Sequence, residues 1–145
     1  MQNYPHHYRV RAEAGSAGVV TIGSAGLAAL ETAAPAEFGG PGDRWSPETL
    51  LVAAVGDCFI LTFRAIARAS KLDWTALACD VEGVLDRVDR EVRFTEFRLS
   101  AVLEVPQGGN EDRARRLMEK AEASCLVTRS LLAAVHLEAA VRVVG

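Results

Sequence analysis

The stretch from Ser46 to Ser70 constrains this chain more than any other part of it. Ser46 offers an oxygen to free helix-start amides. Pro47 occupies the first helical position, where a missing N–H costs nothing, and Glu48 brings a carboxylate to the first turn. Across residues 47–70 the only helix breaker is Gly56, while Leu50, Leu51, Ala54, Val55, Cys58, Leu61, Thr62 and Ala65 recur at helical spacing. The spacing predicts a long helix, apolar nearly all round. Small residues at its middle (Ala53, Ala54, Gly56) let another helix approach closely. Such a helix has to be covered on all sides. One small sheet from a chain of 145 residues cannot supply that cover, so a second subunit is expected.

The flanking sequence reads as strands and shorter helices. Tyr8-Arg9-Val10-Arg11, Val19-Val20-Thr21-Ile22 and residues 27–30 are three short strands, with hairpin turns at Gly15-Ser16-Ala17-Gly18 and at residues 23–26. Residues 35–43, with Phe38-Gly39-Gly40-Pro41-Gly42, form a loop. After the long helix, residues 77–86 alternate apolar and polar; residues 92–103 do the same with a phase slip near Thr95 that suggests a bulge. Val88-Asp89-Arg90-Glu91 turns between them. Asn110 caps a helix whose apolar face is Ala114, Leu117, Met118 and Ala121. A shorter helix starts within residues 124–128 and ends by about 135, and residues 137–144 close the chain as a strand. The expected architecture is α+β, in one domain spanning residues 1–145.

Composition narrows the function classes. With half the residues hydrophobic and 24% charged, the chain is neither disordered nor collagen-like. No apolar run approaching the roughly 18 residues of a membrane span is apparent, so no membrane partner is expected. A net charge of −3 with both signs interspersed gives no footprint for nucleic acid. Three cysteines without CxxC spacing fit neither a secreted disulfide framework nor a structural zinc. The start, MQNYPHHYRV, lacks the pattern of a signal peptide. The expected compartment is the reducing cytoplasm.

Among residues that carry chemistry, Cys58 lies inside the long helix, and its plain reading is a small core hydrophobe. Cys125 falls in the first turn of that shorter helix, the penultimate element, a setting that favours a thiolate; Arg129 shares its face. Cys79 reads as structural on the inward side of its strand. Glu48 precedes Cys58 by ten residues, roughly 15 Å along an ideal helix and about 80° around it, so the two do not meet within one chain. Two copies crossing antiparallel near Ala53 bring Glu48 of one toward Cys58 of the other.

The segment Ser46-Pro47-Glu48-Thr49-Leu50-Leu51-Val52-Ala53-Ala54-Val55-Gly56-Asp57-Cys58-Phe59, preceded by Pro35-Ala36-Glu37-Phe38-Gly39-Gly40, resembles the OsmC/Ohr family of osmotically induced and organic-hydroperoxide-resistance proteins, as does Ala121-Glu122-Ala123-Ser124-Cys125-Leu126-Val127-Thr128-Arg129-Ser130-Leu131. The likeness is closest to the general OsmC-like branch. It implies an intertwined homodimer with antiparallel sheets wrapped around two long central helices, and a thiol peroxidase acting on organic hydroperoxides without a cofactor. By the same resemblance Cys58 matches the peroxidatic cysteine, Cys125 the resolving cysteine and Glu48 the carboxylate that holds the family's arginine. Two positions depart from the pattern. Leu126 stands where proline usually follows the resolving cysteine, which alters how that helix begins. The early turn Gly15-Ser16-Ala17-Gly18 carries no arginine; Arg44 is the best substitute, ahead of Arg9 and Arg11.

The expected reaction has the Cys58 thiolate attack a peroxide oxygen, Cys125 condense with the resulting sulfenic acid, and an external dithiol of dihydrolipoyl or thioredoxin type restore both thiols. Leu50, Leu51, Leu61 and Phe63 give an apolar setting suited to alkyl hydroperoxides. Asp57 projects away and has no catalytic part. The competing reading is a non-enzymatic module of the same fold that binds a small apolar ligand at the dimer interface. A metal site combining the cysteines with His6, His7 or His136 is the least favoured.

Overall fold

Three short strands open the chain: β1 (Arg11–Glu13), β2 (Val20–Gly23) and β3 (Leu30–Thr32), paired antiparallel in that order. The computed structural model describes residues 1–145. The third strand lies two to three residues later than its sequence pattern suggests, since the turn that Leu27 N–H closes on the Ser24 carbonyl (3.1 Å) reaches residue 27 and pairing with β2 begins only at Leu30. A 3-10 turn at Ala36–Phe38 occupies the expected loop. The chain divides into two compact units, Met1–Leu50 and Leu51–Gly145, and α1 (Pro47–Ala69) begins in the first and continues through the second.

The start of α1 is fixed as the sequence predicts. Thr49 N–H donates to Ser46 Oγ (3.1 Å) and Ser46 N–H donates to Thr49 Oγ1 (2.8 Å). This is a reciprocal cap in which threonine takes the place usually held by glutamate or glutamine.

The second unit is built on a three-stranded sheet in the order β4 (Ala76–Val88), β5 (Glu91–Pro106), β6 (Ala134–Val144). β4 and β5 form a long hairpin, and its turn residues Asp89 and Arg90 both have positive φ (51° and 73°), the two-residue geometry that matches strand twist. The slip near Thr95 is a bulge: Val84 pairs with Glu96 and Leu85 with Phe94, and the Thr95 hydroxyl donates to the Val84 carbonyl (3.3 Å). One pairing departs from the expected antiparallel pattern. β5 and β6 run parallel, because α2 (Glu111–Ser124) and α3 (Leu126–Arg129) carry the chain back before β6 begins. β6 starts at Ala134 rather than 137, and α3 is a single turn.

Alternation along β5 buries Phe97, Leu99, Ala101, Leu103 and Val105 and leaves Arg98 and Ser100 to solvent. On the buried face lie Val55, Phe59, Phe63 and Ala67 of α1 and Ala114, Met118 and Ala121 of α2. Asn110 caps α2 by accepting from Arg113 N–H (3.0 Å). Two glycines bring α1 down onto β4: a Cβ on Gly56 would stand 3.0 Å from Val81 Cγ2, and one on Gly83 would stand 2.7 Å from Val52 Cγ2. The other face of α1 is bare, with Ala53, Asp57, Leu61, Arg64 and Ala65 exposed. By length and composition alone α1 is apolar enough to cross a bilayer, although Asp57 and Arg64 interrupt its apolar run. Its buried stripe on the sheet is that of a core helix.

Candidate functional site

Two sulfur atoms from distant parts of the second unit meet. Cys58 sits midway along α1, and one turn later Thr62 places its Oγ1 3.8 Å from the Cys58 Sγ. Cys125 stands between α2 and α3: its N–H ends α2 on the Glu122 carbonyl (3.2 Å), and its own carbonyl accepts from Arg129 N–H (3.1 Å). It is 1% exposed, whereas Cys58 is half-buried. Both are free thiols, close enough that each influences the other's ionisation.

Their surroundings push them apart in acidity. Burial alone would raise the Cys58 thiol, but hydrogen bonds from the Cys125 side chain, the Val127 amide, the Thr62 hydroxyl and the Leu126 amide outweigh it and bring the group below its ordinary value. Cys125 goes the other way: burial and the neighbouring Cys58 raise it, against the opposing hydrogen bonds of Thr128. The arrangement is a more exposed sulfur poised to ionise beside a buried one held as a thiol. That suits a nucleophile and a partner that reacts second.

The other expected site residues are placed as follows. Glu48 lies in the first unit with its Oε1 buried and without a hydrogen-bond partner. Arg44, in the same unit, donates to Glu31 (2.6 Å) and lines an open groove of about 800 Å3 together with Leu30, Trp45 and Thr49. Arg11 is paired with Glu13 (3.2 Å), and the Arg129 guanidinium donates to the Ala123 carbonyl (3.5 Å). No guanidinium is among the groups that bond to Cys58. Phe63, expected to line the site, is wholly buried and set edge-on to Trp74 (5.4 Å), out of reach of a substrate. Cys79 faces inward and burial, with Asp80 beside it, pushes its thiol up to about 11. His136 lies on the exposed sheet face, 3.4 Å from Glu96.

Comparison with known proteins decides the family. The family model described as "OsmC-like protein" matches residues 40–140, which include both cysteines. The chain belongs to the OsmC family. Among relatives of this OsmC-family chain is the uncharacterized protein YmaD of Bacillus subtilis, 28% identical over 146 residues that cover 97% of each protein. Among solved structures, the organic hydroperoxide resistance protein OsmC of Legionella pneumophila superposes with a TM-score of 0.69 at 26% identity, covering 96% of this chain and 98% of that one. An organic hydroperoxide resistance protein of Elizabethkingia anophelis reaches 0.76 at 20% identity, covering 97% and 98%. The OsmC fold is thereby shown for the chain.

Sequence reasoning missed three of the four donors around Cys58. Thr62 was within reach of it, because a residue four positions on shares a helix face. The Leu126 and Val127 amides leave no mark in side-chain identities.

Proposed function

We propose that this OsmC-family protein is a thiol-dependent peroxidase that reduces organic hydroperoxides, with Cys58 as the peroxidatic and Cys125 as the resolving cysteine. The observation that carries the reading is the contact between two free thiols whose acidities are driven in opposite directions. The peroxide-related names of the Legionella and Elizabethkingia proteins support it. The Cys58 thiolate attacks one peroxide oxygen and the O–O bond breaks; the leaving alkoxide takes a proton and departs as the alcohol, and Cys58 is left as a sulfenic acid. The Cys125 sulfur then displaces the hydroxyl, which leaves as water with the Cys125 proton, and a disulfide forms. An external dithiol, of dihydrolipoyl or thioredoxin type, reduces that disulfide by two exchange steps and is itself oxidised to a disulfide.

The working form is inferred to be a homodimer of one-domain chains in the cytoplasm. Three features support the dimer: the buried, unpartnered Oε1 of Glu48, the bare outer face of α1, and a first unit whose buried residues are both polar. In that form Glu48 receives a guanidinium, for which Arg44 is the candidate.

The test is mass spectrometry of the reduced protein after addition of cumene hydroperoxide. A disulfide between Cys58 and Cys125 forms within seconds, Cys58→Ser abolishes all oxidation, and Cys125→Ser stops at the sulfenic acid. Thiols that stay inert to the hydroperoxide refute the peroxidase and leave a module that binds a small apolar ligand.

A further inference from the structure

Two of the three threonines in helices of this chain turn their hydroxyls back on their own backbone. Thr49 Oγ1 donates to the Ser46 carbonyl (3.1 Å) and Thr128 Oγ1 to the Cys125 carbonyl (3.2 Å), each three residues earlier. That is a common course for a helical threonine. Thr62 departs from it: its Oγ1 bonds the Cys58 Sγ across one turn of α1 (3.8 Å, a length that the large sulfur atom allows). We propose that the Thr62 hydroxyl is a catalytic hydrogen-bond donor, aimed at the Cys58 sulfur to hold its negative charge before it attacks. The contact stands on the geometry; its catalytic consequence rests on the peroxidase reading.

Ionisation fixes which atom donates. In the thiol either the sulfur or the oxygen can supply the proton. A thiolate has none, so the hydroxyl becomes the donor, and the bond strengthens because its acceptor is now charged. A donor that holds the charged form more tightly than the neutral one favours ionisation. The placement follows from the helix, since residues four apart share a face; nucleophile and donor stand on one rigid element, whether the chain is one copy or two. Full charges stay out of the contact. Asp57 and Arg64 of α1 are exposed, and the Arg129 guanidinium donates to the Ala123 carbonyl. Cys79 of β4 does not act on the Cys58 sulfur, and Cys125, between α2 and α3, is the titratable group that does.

The hydroxyl can be removed without changing the branching of the side chain. Thr62→Val keeps the β-branched shape and deletes the donor; Thr62→Ser keeps the donor and deletes the methyl group. The full-length reduced protein is treated with iodoacetamide across pH 5 to 10, and alkylation of Cys58 is followed by peptide mass spectrometry. In Thr62→Val the midpoint of the pH profile should rise by about half to one pH unit, a three- to tenfold loss of thiolate at a fixed pH below it. The plateau rate at high pH should not fall, because a less acidic thiol is the stronger nucleophile once ionised. Thr62→Ser should keep the midpoint of the natural chain. A valine variant whose profile overlays that of the natural chain overturns the proposal, and so does a serine variant that follows valine, which would assign the effect to the methyl group.

If Thr62→Val does not fold, Thr62→Ala is read in the same way, since alanine deletes the hydroxyl and is the residue a helix accepts best. None of these measurements uses a peroxide. Failed turnover with cumene hydroperoxide would therefore sink the peroxidase and leave the donor standing, while an unmoved midpoint would remove the donor alone.

Discussion

The two units of this chain solve the problem of burial in opposite ways. Within Leu51–Gly145 every strand alternates against helices, and all of the protein's buried apolar side chains lie there, from Val55 to Cys125. Within Met1–Leu50 the buried residues are Thr32 and Ser46, both polar, while Tyr8, Val10, Leu27, Phe38 and Trp45 are exposed. Three strands of three or four residues without a core are marginal alone in water. Their order comes from something besides apolar burial inside one copy, and the bare face of α1, where Leu61 is 52% exposed, makes the same demand. The difference teaches that the second unit is a core in its own right and the first is not; in the proposed dimer the first would be half of an interface.

The largest expected effect comes from attacking that interface at the middle of α1. Ala53 is exposed within one copy, so an arginine there costs little if the protein is a monomer. In the dimer, Ala53→Arg puts an unpaired charge where two helices cross and should yield monomers at micromolar concentration by analytical ultracentrifugation. It should also speed amide exchange throughout β1, β2 and β3. An Ala53→Arg protein that stays dimeric with those strands protected contradicts the contrast between the units.

A second pair of substitutions sharpens the comparison from inside each unit. Phe97→Ala empties a wholly buried site in the sheet core and should cost about 3–5 kcal/mol at every protein concentration, read from denaturant unfolding. Trp45→Ala removes a ring 51% exposed in one copy. Its cost should be smaller, about 1–2 kcal/mol, and should shrink as dilution separates the copies. A Trp45→Ala cost that does not change with concentration would assign the tryptophan to its own chain alone.

Features written in local sequence were legible. Ser46-Pro47 set the start of α1, Asn110 set the start of α2, and the phase slip at Thr95 marked the bulge, because each depends on a few adjacent residues. Features set at long range were not. Nothing in Ala134-Val135-His136 says that these residues pair in parallel with Glu96-Phe97-Arg98, and the single turn of α3 is too short for periodicity to find. Phe63 looked like a site residue because helical spacing does not say which side of an apolar helix meets the sheet. The meeting of Cys58 with Cys125 was indicated by family resemblance and not by spacing. The backbone donors at Leu126 and Val127 belong to a class of group that no residue code reveals.

The smallest effect separates the third thiol from the two that meet. Cys79 shares the second unit with them, but burial holds its thiol at about 11 against an ordinary value of 9.0. As pH rises from 9 toward 11, an unfolded chain has released the proton that the folded chain still keeps, so the unfolded form gains. Folding stability should fall over this window with a limiting slope of about 1.4 kcal/mol per pH unit for one group. Cys79→Ala removes that contribution, so its stability should decline less steeply than that of the natural protein, as followed by urea unfolding at each pH. Equal slopes would mean that Cys79 ionises in the folded protein as easily as in the unfolded one, and its inward position on β4 would then give it no distinct character beside Cys58. A shallower slope in the variant would establish that the buried face of the sheet holds this cysteine as an inert thiol.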